Sequence, residues 1–361
     1  MHMADALLSP AVGATLWAAS GLTLGWCSRR LRTDPREHLV PLMGVLGAFV
    51  FAAQMINFSI PGTGSSGHIG GGLLLSILLG GPAAFVVIAS VLTVQALFFA
   101  DGGLLALGAN IFNLGIIPCF AAYPLIYRPL LKRAGGAPSK NRLTIITVLA
   151  AVVSMQMGAL GVVFETQLSG ISSLPLATFL LLMQPIHLVI GLVEGLATAA
   201  VIAFIRKARP DLLHASASVP STVAASTGFP TRVIVSLGCV ALLTGSVFSW
   251  FASSSPDGLE WSIARVTGQP ELASGASSIH KTFSQLQQRI SLLPSYKFAA
   301  VENKASEVVG GKSGAKQEQA WPAVDAKTSL AGVLGGVGTL MVVVGIGFLL
   351  RPRHAHELPR T

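Results

Sequence analysis

A chain that opens Met1-His2-Met3 carries the makings of a metal chelate in its first two residues. The α-amine of Met1, the amide nitrogen of His2 and an imidazole nitrogen of His2 can close adjacent chelate rings on one ion. A fourth nitrogen is on offer at His68, the one histidine in the stretch QMINFSIPGTGSSGHIGGGL, residues 54–73. Glycine-rich backbone folds tightly and lets a ligand approach closely, because positive φ costs glycine nothing. A square-planar set of four nitrogens with one amide deprotonated suits Ni(II) or Cu(II) and suits Zn(II) poorly. Each histidine also has a plainer reading, an incidental residue after the initiator or a lone loop imidazole. Whether they can meet depends on the elements that carry them.

Those elements belong in a membrane. The chain is 52% hydrophobic and 11% charged, with mean hydropathy +0.68. Apolar segments run over 9–27, 39–57, 69–80, 83–100, 104–127, 143–164, 174–205, 233–252 and 329–350. Apolar runs of about 18 residues or more are the lengths that cross a hydrocarbon core of about 30 Å. The expected fold is therefore all-α, a seven-helix membrane bundle followed by a two-helix C-terminal membrane unit with an extracytoplasmic loop. The net charge of +9 then reports orientation and gives no reason to expect a nucleic acid partner. With the N-terminus outside, segments 28–38, 80–82, 128–142, 206–232 and 351–361 lie in the cytoplasm and hold 16 of the 24 Lys and Arg. The other eight fall in one long outer region, 253–328, of the kind exempt from the positive-inside rule.

This topology puts Met1-His2 and the His68 loop on the same, outer face. Segment 69–80 is too short to cross about 30 Å at about 1.5 Å per residue, so His68 is expected below the surface, in a pocket. The first residues lack the basic region of a secretory signal, and the large residue at position 2 should keep Met1 in place, with its amine free. Cys27, Cys119 and Cys239 lie in apolar segments far apart and read as small buried hydrophobes. Residues 207–231, rich in Ser, Thr, Ala and Pro, read as a cytoplasmic linker between an N-terminal unit, 1–206, and a C-terminal unit, 232–361. Within the outer loop, 279–293 has an amphipathic pattern, and the Gly/Lys/Ser-rich 303–319 is expected to be mobile.

Other polar residues have two readings each. His187 and Glu194 share a face of the last helix of the N-terminal unit, and intramembrane ionisable groups usually face a bundle interior. Asn57 could donate to the His68 loop, as ligating histidines commonly require, or cap a helix. Asp101 precedes Gly102-Gly103 at an outer turn, and turn chemistry accounts for it. Gly44, Ala48 and Ala52, four apart, suit close helix approach, either within the bundle or against a separate membrane scaffold subunit.

Three stretches in order resemble the CbiM/NikM family: MHMADALLSP at the start, MGVLGAFVFAAQMINFSIPGTGSSGHIGGGLL at 43–74, and ALFFADGGLLALGANIFNLGI at 96–116. The resemblance covers essentially all of 1–206. It implies the substrate-capture component of an energy-coupling-factor transporter for nickel or cobalt, with metal ligands at the Met1 amine, His2 and His68. One departure is Ala6, where the family often has glycine. Residues 232–361 resemble the two-helix partner NikN/CbiN, and Pro256-Asp257-Gly258-Leu259-Glu260-Trp261 matches the loop start of its nickel type. The resemblance also implies a T-type scaffold subunit and separate ATP-binding subunits as partners, in a cell membrane.

Several classes are disfavoured. Gly311-Lys312-Ser313 mimics the end of a phosphate loop, but Ser306 stands where the first glycine is needed, so no ATP site is expected. No H-E-x-x-H occurs, which argues against an intramembrane zinc protease and against an enzyme generally. A self-sufficient channel or secondary transporter should show charges along several helices, and the first six segments are nearly charge-free. Nickel is preferred over cobalt because Ni(II) displaces an amide proton more readily. The alternative is a cobalt importer feeding cobalamin biosynthesis.

Overall fold

The structure is a computed structural model describing residues 2–34, 39–135, 138–210, 212–213, 231–269, 272, 277–296 and 321–350. The N-terminal unit contains seven helices: α1 (Pro10–Leu31), α2 (Leu39–Gln54), α3 (Gly72–Leu79), α4 (Gly81–Phe98), α5 (Leu107–Arg133), α6 (Lys140–Ser169) and α7 (Leu176–Ala208). The C-terminal unit contributes α8 (Thr231–Ser246) and α11 (Ala326–Leu349), with α9 (Gly258–Thr267) and α10 (Ser278–Ile290) between them. Helices α4, α5, α6, α7 and α11 are long and apolar enough to cross a membrane, and α2 and α8 are shorter apolar helices.

Local chemistry sets the ends. Ser9 caps α1 through Val12 N–H and Pro10 occupies its first turn, where a missing donor is harmless. Ser139 caps α6, and Gly170 closes it in the left-handed conformation. The middle of α5, Phe112–Tyr127, winds in wide π-type turns and contains Pro118 and Pro124, neither of which has an amide to donate. The eight residues of α3 span only about 12 Å, and the non-helical stretch before it makes up the depth. That stretch holds a small antiparallel hairpin, β1 (Phe58–Ile60) with β2 (Ser65–Gly67).

Glycines set two helix contacts. A Cβ at Gly191 or Gly195 would lie 2.9 or 2.6 Å from the Val152 and Val148 backbone, so α6 and α7 touch along their main chains. The opposite sides of this pair expose Leu149, Phe164, Leu168, Leu181 and Leu196, an apolar surface suited to lipid.

The stripe Gly44, Ala48 and Ala52 packs within the chain, the first of its two readings. Gly44 has no room for a side chain against Val344 of α11, and Ala48 and Ala52 are 7% and 1% exposed. Helix α2 packs against α4, α8 and α11, so its small-residue face is covered by the C-terminal unit of the same chain. Linker residues 211 and 214–230, the expected mobile piece 303–319 and the Gly311–Ser313 run lie outside the described residues.

Candidate metal-capture site

The N-terminal segment is threaded into the bundle. Met3, Leu7 and Leu8 are at most 1% exposed, and the Met3 backbone is gripped at both ends. Its N–H donates to Asn110 Oδ1 at 2.7 Å, while its carbonyl accepts from Asn110 Nδ2 at 3.2 Å and from Gly103 N–H at 3.0 Å. Asp5 Oδ1 accepts from Ala106 N–H at 2.9 Å. Ala6 lies in a single tight turn, Asp5–Leu7, and is not among the residues with positive φ, so alanine serves where the family often has glycine.

This threading brings His2 to His68. The two rings stack with centroids 5.0 Å apart and planes 11° from parallel. Met1 lies outside the described residues. The His2 side chain is 7% exposed, with Nδ1 3.1 Å from Asp101 Oδ1. Asp101 also accepts a hydrogen bond from Tyr296, and it follows Ala100, held at φ +50°. Burial alone would raise the Asp101 pKa, but the neighbouring His2 and the Tyr296 hydroxyl hold its carboxyl below the usual carboxylate range. A turn residue by sequence, Asp101 orients the His2 imidazole.

His68 is 8% exposed, and its Nδ1 lies 3.1 Å from the Ile69 carbonyl. A carbonyl only accepts, so Nδ1 carries the proton and Nε2 keeps the lone pair. Burial pushes the His68 pKa down to about 3, which leaves the ring neutral and competent as a ligand.

The loop after His68 is fixed from below by Glu194. Its two carboxylate oxygens accept from Gly70 N–H at 3.1 Å and Gly71 N–H at 3.0 Å, just before α3 starts. Two amides aimed at one buried carboxyl group clamp the loop at a helix N-terminus. On the other side Gln54 Nε2 donates to the Gly70 carbonyl at 2.8 Å, and Gln95 Nε2 donates to Gln54 Oε1 at 2.9 Å. His187 lies nearby, fully buried, with Nδ1 donating to the Met183 carbonyl at 2.7 Å. Asn57 lines the cavity at His2 and His68, and its backbone carbonyl accepts from Ser253 N–H at 2.7 Å. No side-chain bond from Asn57 to the His68 loop is present among the described residues.

The C-terminal unit covers the site. Ser66 pairs with Asp257 in an isolated parallel bridge, and Ser66 N–H donates to the Pro256 carbonyl at 2.8 Å. Trp261 Nε1 donates to the Thr63 carbonyl at 2.9 Å. From α10, His280 Nε2 donates to the Asp5 and Leu8 carbonyls at 3.1 and 2.9 Å, and Gln287 to the Ala96 and Gly102 carbonyls at 3.0 and 2.7 Å. The resulting cavity, about 500 Å³, is lined by His2, His68, Asp101, Asp257 and Tyr296 among others.

Asn110, Gln54, Gln95, His280 and Tyr296 do not stand out in the sequence. The first three are single amides in apolar runs, a signal that is present and could have been weighed. His280 and Tyr296 sit in a polar loop, where nothing marks a residue that reaches back nearly 200 positions or more. Asp257 stands out only within its motif, not as a wall of the cavity.

A multi-pass bundle with a deep, histidine-bearing cavity at one end and a lid from its own chain has the layout of a membrane transport component. Residues 2–212 match the cobalt uptake substrate-specific transmembrane region, CbiM, and residues 231–352 match the PDGLE domain. A protein of Haloquadratum walsbyi named for metal transport is 37% identical over 213 residues, 59% of this chain and 93% of its own. A fused nickel transport protein, NikMN, of Rhodobacter capsulatus is 32% identical over 226 residues, 59% of this chain and 64% of its own. A crystal structure described as a truncated transition metal transporter superposes with TM-score 0.50 and 30% identity, covering 57% of this chain and 99% of that one. The chain belongs to the CbiM family of nickel and cobalt transport components, fused to a PDGLE-type, NikN-like C-terminal unit. It is a multi-pass membrane protein of a transporter family, not an enzyme.

Proposed function

We propose that this chain captures Ni(II), with Co(II) as the alternative cargo, at the outer face of a cell membrane. Capture is the first step of import driven by a T-type scaffold subunit and separate ATP-binding subunits. The N-terminus lies outside and the C-terminus inside, with the capture unit at 1–206, a linker at 207–231 and an accessory unit at 232–361. The four donors are the Met1 amine, the His2 amide, the His2 imidazole and His68.

The observation that carries this reading is the stacking of His2 on His68 at 5.0 Å, between residues 66 positions apart in sequence. Imidazole lone pairs lie in the ring planes, so two stacked rings do not aim at one ion. One ring must turn. His2 is the one to turn, because a chelate through its own amide uses Nδ1, the atom now facing Asp101. Asp101 thus orders the ring before the ion arrives and releases Nδ1 to it. Nickel is favoured because the ion must displace the His2 amide proton, and planar four-nitrogen coordination suits Ni(II).

The test is metal content and affinity of the purified chain with its natural N-terminus, beside His2→Ala and His68→Ala. Weakening in His68→Ala and a larger loss of affinity in His2→Ala are expected. Unchanged affinity in both would remove capture from the reading.

A further inference from the structure

A second, smaller cavity of about 10 Å³ adjoins the capture cavity, and His68 and Asp257 line both. Its other walls are Gly67 and Gly70 of the His68 loop, Gly258 of the lid, and four residues of the bundle helices, Leu114 of α5, Met155 of α6 and His187 and Ile190 of α7, so it lies where His68, the lid and the bundle meet. The space suits one small particle, a water or an ion.

His187 has the features of a ligand waiting there. The ring is 0% exposed, and its Nδ1–H is committed to the Met183 carbonyl at 2.7 Å. The lone pair therefore sits on Nε2, which has no hydrogen-bond partner among the described residues. A buried acceptor left unpaired calls for an explanation. Histidines that bind metals commonly tie their other ring N–H to a carbonyl in this way. His68 has the same arrangement through Ile69. The PDGLE segment closes directly over the ring. A Cβ at Gly258 would stand 2.5 Å from Ile186 Cγ2 and 3.2 Å from His187 Cε1, so glycine lets the lid seat closely on this turn of α7.

We propose that His187 Nε2 is a second nitrogen donor for the transported ion, paired with His68 on the inner side of the capture site. His68 would stay bound while the His2 chelate is exchanged for His187, with no change in oxidation state. This rests on the capture reading above and adds an inner position to it.

The test uses the full chain with its natural N-terminus and Ni(II) alone as probe. His187→Asn keeps a donor for the Met183 carbonyl and deletes Nε2, so the fold should survive, as thermal stability and monodispersity would check. Expected are capture affinity within about twofold of the natural chain and weak residual binding in His2→Ala. That residual should drop at least about tenfold in the double variant, the loss typical of disrupted metal ligation. X-ray absorption should count two imidazoles on residual nickel in His2→Ala and one in the double variant. The inner site is overturned by residual binding that ignores His187 or by no residual binding at all. A His187→Asn chain as defective as His2→Ala would overturn it too, placing the ring in the outer site. The capture reading fails separately, through unchanged affinity in His2→Ala.

Discussion

Ser66 and Asp257, 191 residues apart, form an isolated parallel bridge two residues from His68. The accessory unit is thereby joined to the loop that presents the ligand. Tyr296 and Gln287 extend the same attachment to the turn at Asp101. This attachment couples any movement of the lid to the geometry of both histidines.

The Tyr296–Asp101 contact gives the first prediction. Tyr296→Phe removes a hydroxyl that steadies the carboxylate holding His2, and Asp101→Asn weakens the hold itself. Because the ion must take Nδ1 from Asp101, this hold competes with binding, and nickel affinity should rise by up to about tenfold in Asp101→Asn and by less in Tyr296→Phe. Calorimetric titration with Ni(II) checks the order. A loss of affinity in either variant would mean that the carboxylate supports the bound ion by another route.

Glu194→Gln is the second. The substitution keeps shape but puts an amide donor against Gly70 N–H or Gly71 N–H, and unpairing a buried donor costs about 1–3 kcal/mol. The His68 loop should loosen, with amide exchange of residues 68–72 rising while α6 and α7 stay protected. Metal affinity should fall about 10-fold or more. Unchanged exchange at the loop would show that the clamp is dispensable.

Much of this is legible in the chain itself. Runs at 143–164 and 174–205 form α6 and α7 with ends moved by a few residues, because Ser139 and Gly170 extend α6 beyond its apolar centre. The short segment at 69–80 forms α3, its depth filled by the β1–β2 hairpin, which no alternating pattern announces. Met1, His2 and His68 stand out because their chemistry is local. The roles of Asp101, Glu194 and Asp257 do not, since each is defined by a partner about 100 to nearly 200 positions away. Gly44, Ala48 and Ala52 announce close packing, but for the same reason leave the partner open. Spacing predicts that a helix packs closely, not which helix arrives.

Acid should loosen the site. The folded His68 pKa is depressed to about 3, whereas the unfolded ring titrates near 6.5, so below that value the unfolded chain binds the extra proton. Stability is lost as pH falls from about 6.5 toward 3, by about 2 kcal/mol at pH 5. Asp101, also depressed, acts in the same direction but at lower pH. Thermal unfolding at pH 7 and pH 5 should show the drop, and His68→Gln should reduce it. A pH-independent midpoint would contradict the buried, neutral ring.

The most direct test of the central claim is the coordination of nickel in the purified full chain with its natural N-terminus. The account predicts a planar, diamagnetic Ni(II) centre with a visible absorption band. That centre should be lost when one residue is added before Met1 and retained when a tag is placed at the C-terminus. A six-coordinate, paramagnetic centre with oxygen ligands, or undiminished affinity in the N-terminally extended chain, would contradict it.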